Sequence, residues 1–483
     1  MKARALFYVL VLSGLLVVSS GYAEVKLPAI ISSNMVLQRN TTVTLWGWAD
    51  AKEEIVINTS WLDGELKTVA DKEGKWKIQA KTTNSKASQT IEIKSADSHI
   101  LLEDVLFGEV WLCSGQSNMQ QSVSGYYGQP TFGSQGAITT ATNENLRLFT
   151  AERQADTAPK DDLKEYRGWQ SANPSTVKDF SAVAYFYGQQ LQEILDVPVG
   201  MIHSSWGGSL VEAWISKEVL SSMQEVDLSE VDLSRGNRFP TVLFNAMINP
   251  LIPYTIKGVL WYQGESNASE PEKYKKLFPA MVKDWRTRWD IGDFPFYYVQ
   301  IAPFDYGWDE ADNLIPLMRE AQLKCLDLIP NSGIAITLDI GEEKIIHPAK
   351  KKEVAERLLY NALNQTYAYE AVDFSGPILE SFEIMHDTIM LTFKYAEHGV
   401  YSYDELEGFE IAGADKVFYP ATAINNRKGL FVRSDKVKNP VAVRYAWRSW
   451  VQGTLFDTNL LPASSFRTDD WNDATRFNSP AHK

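Results

Sequence analysis

The chain has 483 residues, more than one ordinary hydrophobic core supports, so two or three domains are expected. With 45% hydrophobic and 22% charged residues, its composition is that of a globular protein. A formal net charge of −14 repels phosphate backbones, which excludes nucleic acid as an expected partner.

The chain opens with Lys2 and Arg4, an apolar run from Ala5 to Val18, and the small-residue segment Ser19-Ser20-Gly21-Tyr22-Ala23. That order reads as a signal peptide over residues 1–23, cleaved before Glu24. The run is too short for a comfortable membrane span, and no later segment is long or apolar enough. A secreted or periplasmic protein without stable membrane insertion after signal cleavage is expected.

From Val25 to Val105 short alternating runs are separated by turn residues, as in Thr42–Trp48, Glu54–Asn58 and Trp76–Ala80. Period-two patterning of this kind predicts a small antiparallel β-sandwich, assigned to residues 24–106.

After Gly108 buried-type strands alternate with helices. Glu109–Leu112, Val199–Ile202 and Lys257–Trp261 read as strands. Val183, Phe186, Tyr187, Leu191, Ile194 and Leu195 fall on one face of a helix. A second helix is predicted after Pro348, with Val354, Leu358 and Leu359 inward and Lys350–Lys352 outward. The alternation predicts an α/β domain with a mainly parallel sheet over residues 107–370. Residues 371–483 return to a β-rich pattern, as in Asp387–Phe393 and Ala442–Trp447. The two cysteines, Cys113 and Cys325, do not make a disulfide framework, and Cys113 reads as a buried thiol.

Ligands of open α/β sheets bind beyond the carboxyl ends of the strands, and four polar loops fall at such places. The first is Gly115-Gln116-Ser117-Asn118-Met119, where a serine follows a strand and a tight glycine turn. Taken alone, such a serine is more often a helix N-cap than a nucleophile. The second, Trp206-Gly207-Gly208-Ser209, carries paired glycines whose backbone N–H groups can approach an oxyanion. The third, Tyr262-Gln263-Gly264-Glu265-Ser266-Asn267, sets two amides and a carboxylate around a glycine. The fourth ends in Ile346-His347-Pro348, with a histidine placed to act as a general base. No pair among the six histidines has metal-ligand spacing, so neither a metal nor another cofactor is expected.

These four loops, in this order, resemble the SGNH hydrolases, and more closely the branch of sialate O-acetylesterases and related acetylxylan esterases. Leu243–Ile248, Arg319-Glu320-Ala321-Gln322 and Leu460–Arg467 extend the likeness over nearly the whole mature chain. The resemblance implies an SGNH-type, flavodoxin-like three-layer α/β/α domain with flanking β-sandwich segments. It implies hydrolysis of acetyl esters on an O-acetylated carbohydrate, with Ser117 as nucleophile and His347 as base. Backbone N–H groups at Ser117 and Gly208, with an amide from Asn267 or Gln263, would stabilise the oxyanion, and Gln116 would line the same site. Many members carry an aspartate three residues before the histidine; here that residue is Lys344. Glu265 is the first choice for the missing acid, followed by Asp339 and Glu342, with a backbone carbonyl as the remaining option. O-acetylated sialic acid is the first expected substrate, acetylated xylan or pectin the second, and a non-catalytic glycan-binding homologue the alternative. The segment Ala302–Asp309, rich in aromatic residues, is expected to contact sugar.

Overall fold

Alternation of apolar and polar side chains builds the first strands much as the sequence predicts. In this computed structural model, which describes residues 24–228, 233–309, 312–471 and 475–476, they are β1 (Val36–Gln38), β2 (Thr42–Trp48), β3 (Glu54–Thr59), β4 (Leu66–Val69), β5 (Lys75–Lys81) and β6 (Gln89–Lys94). The expected signal peptide at 1–23 lies outside the described residues. Strand β2 pairs antiparallel with β5, and β3 lies between β4 and β6. Along β5, Trp76 and Ala80 turn inward while Lys75, Lys77 and Lys81 meet solvent.

The boundary expected at 106–107 falls inside a single strand. β7 (His99–Gly115) pairs antiparallel with β6 through its first half. Its second half pairs parallel with β10 (Val199–Ser205) and β11 (Gly258–Tyr262). From Val105 onward every β7 residue is buried, so the side-chain pattern changes from alternating to continuous while the backbone runs on. The change of side-chain pattern coincides with the switch from antiparallel to parallel pairing along one continuous strand.

The central sheet runs β13–β12–β11–β7–β10–β8–β9, with β8 (Asn143–Ala151), β9 (Tyr166–Ala172), β12 (Phe296–Val299) and β13 (Ser332–Ala335). Only the edge strand β9 is antiparallel within this path. After β7 the chain builds toward one edge and later returns to build toward the other. The loops leaving β7, β10 and β11 therefore part around a crevice at their carboxyl ends.

Helices cover both faces of this sheet. Ala182–Leu195 and Lys351–Gln365 pack with Trp111, Met201, Leu260 and Tyr297. Pro271–Trp289 and Leu314–Lys324 pack with Leu112, Ile202, Trp261 and Phe296 on the other side. The first helix buries Val183, Phe186, Tyr187 and Leu191 as predicted, whereas Ile194 is exposed. The last helix turns Val354, Leu358 and Leu359 inward as predicted, but Lys351, expected in solvent, is 1% exposed. Both cysteines are buried and free.

Residues 371–471 are β-rich, in a four-stranded sheet that includes Ile378–Met385 and Thr388–Lys394 and a second sheet that includes Phe409–Ala412 and Ala442–Tyr445. They dock partly through Arg319, Glu320 and the 460–467 segment, which the sequence singles out only by resemblance. Arg467 makes two 3.0 Å bonds to Glu320, Gln300 donates to Ser464 Oγ at 2.8 Å, and the buried Arg319 donates to the carbonyls of Ala446 and Arg448. No helix among the described residues is long and apolar enough to cross a membrane.

Candidate active site

The turn that carries Ser117 is set by close backbone approach. Gly115 has φ +132°, and a Cβ there would stand 2.2 Å from the Tyr262 carbonyl oxygen, so only glycine fits. That contact lets Gln116 N–H donate to Tyr262 O at 2.9 Å, while Trp206 N–H donates to Gly115 O at 3.0 Å. A single helical turn, Ser117–Gln120, follows. The N-cap position belongs to Gln116, which makes no side-chain capping bond. The Ser117 hydroxyl is thus not spent as a cap, and it makes no hydrogen bond among the described residues. Its backbone N–H, in the first turn, has no intrahelical acceptor.

The second loop lies against the first. A Cβ on Gly207 would be 3.1 Å from Ser117 Cβ. Gln120 Oε1 accepts from Gly207 N–H at 2.7 Å, and Asn237 Nδ2 donates to Gly207 O. These two side chains brace the loop from both sides. Gly208, at φ +76°, makes no backbone N–H hydrogen bond among the described residues. Two uncommitted donors, at Ser117 and Gly208, are what a developing oxyanion needs.

The third loop is knitted to its neighbours through amide side chains. Gln263 is fully buried, and its Nε2 donates to Ser209 O at 3.1 Å and to Asn267 Oδ1 at 2.7 Å. Asn267 is 1% exposed; its Oδ1 also accepts from Val211 N–H, and its Nδ2 donates to Glu212 Oε2 at 2.9 Å. Gln116, also buried, accepts from the N–H groups of Gly264 and Ser266, both at 3.4 Å. The three amides brace the loops against one another: Gln263 Nε2 has both its hydrogens committed to Ser209 and Asn267, whereas the Gln116 bonds use only its oxygen.

His347 is half-buried, and its Nδ1 meets Gln129 Oε1. Tyr126, from the same 122–133 loop, sets its ring edge-on to the imidazole at 5.2 Å and donates its hydroxyl to Ser117 O at 3.0 Å. Burial, and after it the nearby Lys351 ammonium, pushes the His347 pKa down to about 4. The imidazole is therefore neutral through most of the acid range, as a general base must be.

None of the three expected acids is bonded to this histidine. Glu265 gives Oε1 to Asn118 Nδ2 at 2.5 Å, Asp339 is held by Arg357 through two 2.7 Å bonds, and Glu342 accepts from Ala349 N–H at 2.8 Å. Lys344, three residues before His347, is exposed and pairs with Asp305 at 2.8 Å. That pair ties the aromatic 302–309 loop to the histidine loop. His203 is likewise not part of the site: it is buried against Phe180 and shares a 2.5 Å hydrogen bond with Ser205 Oγ.

The rim carries aromatic and cationic groups. Tyr127 is fully exposed beside Tyr126, and Trp308 is 47% exposed on the tethered loop. Arg153, just beyond β8, is exposed and makes no ion pair or hydrogen bond among the described residues. Its charge acts on the Tyr126 hydroxyl, partly opposing the upward push of burial on that group. The sequence offered no pattern that singled out Gln120, Gln129, Arg153 or Asn237. The run Gly125-Tyr126-Tyr127-Gly128-Gln129 was the one available hint, since glycine-flanked aromatics after a catalytic turn form a natural rim.

Comparison with known proteins matches residues 107–359 to a family described as carbohydrate esterase, sialic acid-specific acetylesterase. The human sialate O-acetylesterase is 29% identical over an alignment covering 88% of this chain and 88% of its own. The mouse sialate O-acetylesterase is 29% identical, with 76% of this chain and 78% of its own covered. The crystal structure of a carbohydrate acetylesterase from Xanthomonas citri aligns with a TM-score of 0.85 at 33% identity, over 92% of this chain and 100% of that one.

Proposed function

The chain belongs to the sialic acid-specific acetylesterase family of carbohydrate esterases and is a carboxylic-ester hydrolase, and from that premise we propose that it removes acetyl groups from sialic acid hydroxyls by a serine mechanism. The sheet with helices on both faces fits an SGNH-type three-layer domain over 107–370, flanked by β-sandwich segments at 24–106 and 371–483. The protein acts after export, in a secreted or periplasmic setting.

One observation carries the reading: Tyr126 bonds Ser117 O while its ring packs on His347, and the glycine turn of the second loop packs on Ser117 Cβ, with the Ser117 hydroxyl not used as a cap. Gln129 Oε1 can only accept, so the proton sits on His347 Nδ1 and the Nε2 lone pair is left for Ser117. His347 Nε2 takes the Ser117 proton as Oγ bonds to the acetyl carbonyl carbon. The oxyanion is met by the Ser117 and Gly208 N–H groups; losing one such donor raises a barrier by roughly 3 kcal/mol. Collapse breaks the bond to the sugar oxygen, which takes the proton from His347. Water then repeats the sequence on the acetyl-serine, releasing acetate and returning the proton to Ser117 Oγ.

Arg153 supports an acidic sugar in particular. It is an unpaired guanidinium at the rim of a chain whose net charge is −14, and guanidinium is the group best shaped for a carboxylate. The test is acetate release from O-acetylated sialoglycan, xylan and pectin by wild type and Ser117→Ala. Release from the sialoglycan that disappears in Ser117→Ala is expected. Equal rates in the two proteins would remove the serine mechanism, and a preference for xylan or pectin would remove the sialate assignment.

A further inference from the structure

Lys351 begins a helix four residues after His347, yet it is almost wholly buried. Burying an ammonium is costly unless its donors and its charge find partners. Its Nζ donates to Asn118 Oδ1 at 2.5 Å and lies 5.8 Å from the centre of the Tyr262 ring. Asn118 immediately follows the nucleophile. Through Nδ2 the same amide donates to Glu265 Oε1 at 2.5 Å and to the Ile346 carbonyl at 3.1 Å.

One side chain thus joins the nucleophile turn, the third loop and the residue before His347. The opposite charges at its two ends decide which way round it sits. Turning the amide over would set its NH2 group against the Lys351 ammonium and its oxygen against the Glu265 carboxylate, and would release Ile346 O.

We propose that Lys351 is a positioning residue for the ester hydrolysis: facing Glu265 across Asn118, it locks that amide in the one orientation that holds the Ile346 carbonyl, and with it His347, against the nucleophile turn. The inference rests on the Ser117 and His347 reading above. Its charge has a second effect. The charged and titratable groups that face Lys351 are Glu265 across the amide, Glu342 from the preceding turn, the Tyr262 hydroxyl of β11, and His347. Burial pushes the Lys351 pKa down to about 7 against the pull of the two glutamates. In the acid range where the imidazole titrates the ammonium is still charged, and it opposes protonation of His347.

The experiment measures kcat and KM for p-nitrophenyl acetate across pH, with thermal melts, for the full chain and its variants. Lys351→Met is expected to lower kcat by about tenfold or more with KM nearly unchanged. It should also move the acid limb of kcat/KM to higher pH, and Lys351→Arg, which keeps the charge, should leave that limb in place. If Lys351→Met does not fold, the Lys351→Met/Glu265→Gln double variant, which leaves no unpaired charge inside, is read by the same two criteria. A folded variant with wild-type kcat and an unmoved acid limb overturns the proposal. Activity surviving in Ser117→Ala overturns the serine reading instead, so the two failures are told apart.

Discussion

His347 Nδ1 is held by the amide oxygen of Gln129, an uncharged acceptor, at the position where a Ser-His-acid hydrolase carries a carboxylate. The amide fixes the tautomer and the ring plane as a carboxylate would. It supplies no negative charge to an imidazolium, in keeping with a ring whose proton affinity is pushed down by burial first and Lys351 second. Orientation and charge, usually combined in one acid, are here separated.

Gln129 is the first place to test this. Gln129→Ala should lower kcat for p-nitrophenyl acetate by about a hundredfold, because the base loses its tautomer and plane. Gln129→Glu sets a negative charge beside the ring and favours its protonated form. The acid limb of kcat/KM should then rise in pH relative to wild type. A limb that stays put in the glutamate variant would show that residue 129 does not contact the base.

Glu265 separates the observed arrangement from a triad that uses this carboxylate. A triad acid replaced by its amide costs about 10⁴-fold in kcat. Glu265 is bonded to Asn118 instead, so Glu265→Gln, which keeps an acceptor there, should cost on the order of tenfold. A loss near the larger figure, in a variant that melts normally, would restore Glu265 as the acid.

Arg153 should matter only when the substrate carries a carboxylate. Arg153→Gln is expected to raise KM for an O-acetylated sialic acid by about tenfold, while p-nitrophenyl acetate kinetics stay as in wild type. Equal effects on both esters would count against a carboxylate contact.

Stability should fall on acidification through the histidines. His203 has its pKa lowered from the ordinary 6.5 to about 4, by burial first and Arg167 second. Between those values the unfolded chain takes a proton that the folded chain refuses, so stability declines as pH drops from 6.5 toward 4. The full effect of His203 is on the order of 3 kcal/mol. Urea midpoints at pH 7 and pH 4.5 should differ less in His203→Gln than in wild type, and an unchanged difference would assign the acid lability elsewhere.

Much of the architecture was legible because it rests on local periodicity. Alternation along β2 and β5, the apolar face of Ala182–Leu195 and the continuous apolar runs of β10 and β11 each follow from which face a residue presents to the core. The four strand-end loops were legible for a related reason, since glycine at 115 and 208 and dense polarity after a strand are local features. Ile194 and Lys351 were misplaced because helical phase alone does not say what stands opposite. Lys351 is inside because Asn118 and Glu265, far away in sequence, wait there to receive it.

By itself the sequence determined the α/β centre, the flanking β segments, and the loops that converge with Ser117 and His347. Only the tertiary structure decided the partners. It set Gln116, Gln263 and Asn267 to brace the loops, bonded Glu265 to Asn118, and brought Gln129 to the imidazole. The physical reason is range: periodicity and turn chemistry act over a few residues, whereas a buried amide, carboxylate or ammonium bonds to whatever the fold sets beside it, here across 218 positions for Gln129 and His347 and 233 for Asn118 and Lys351.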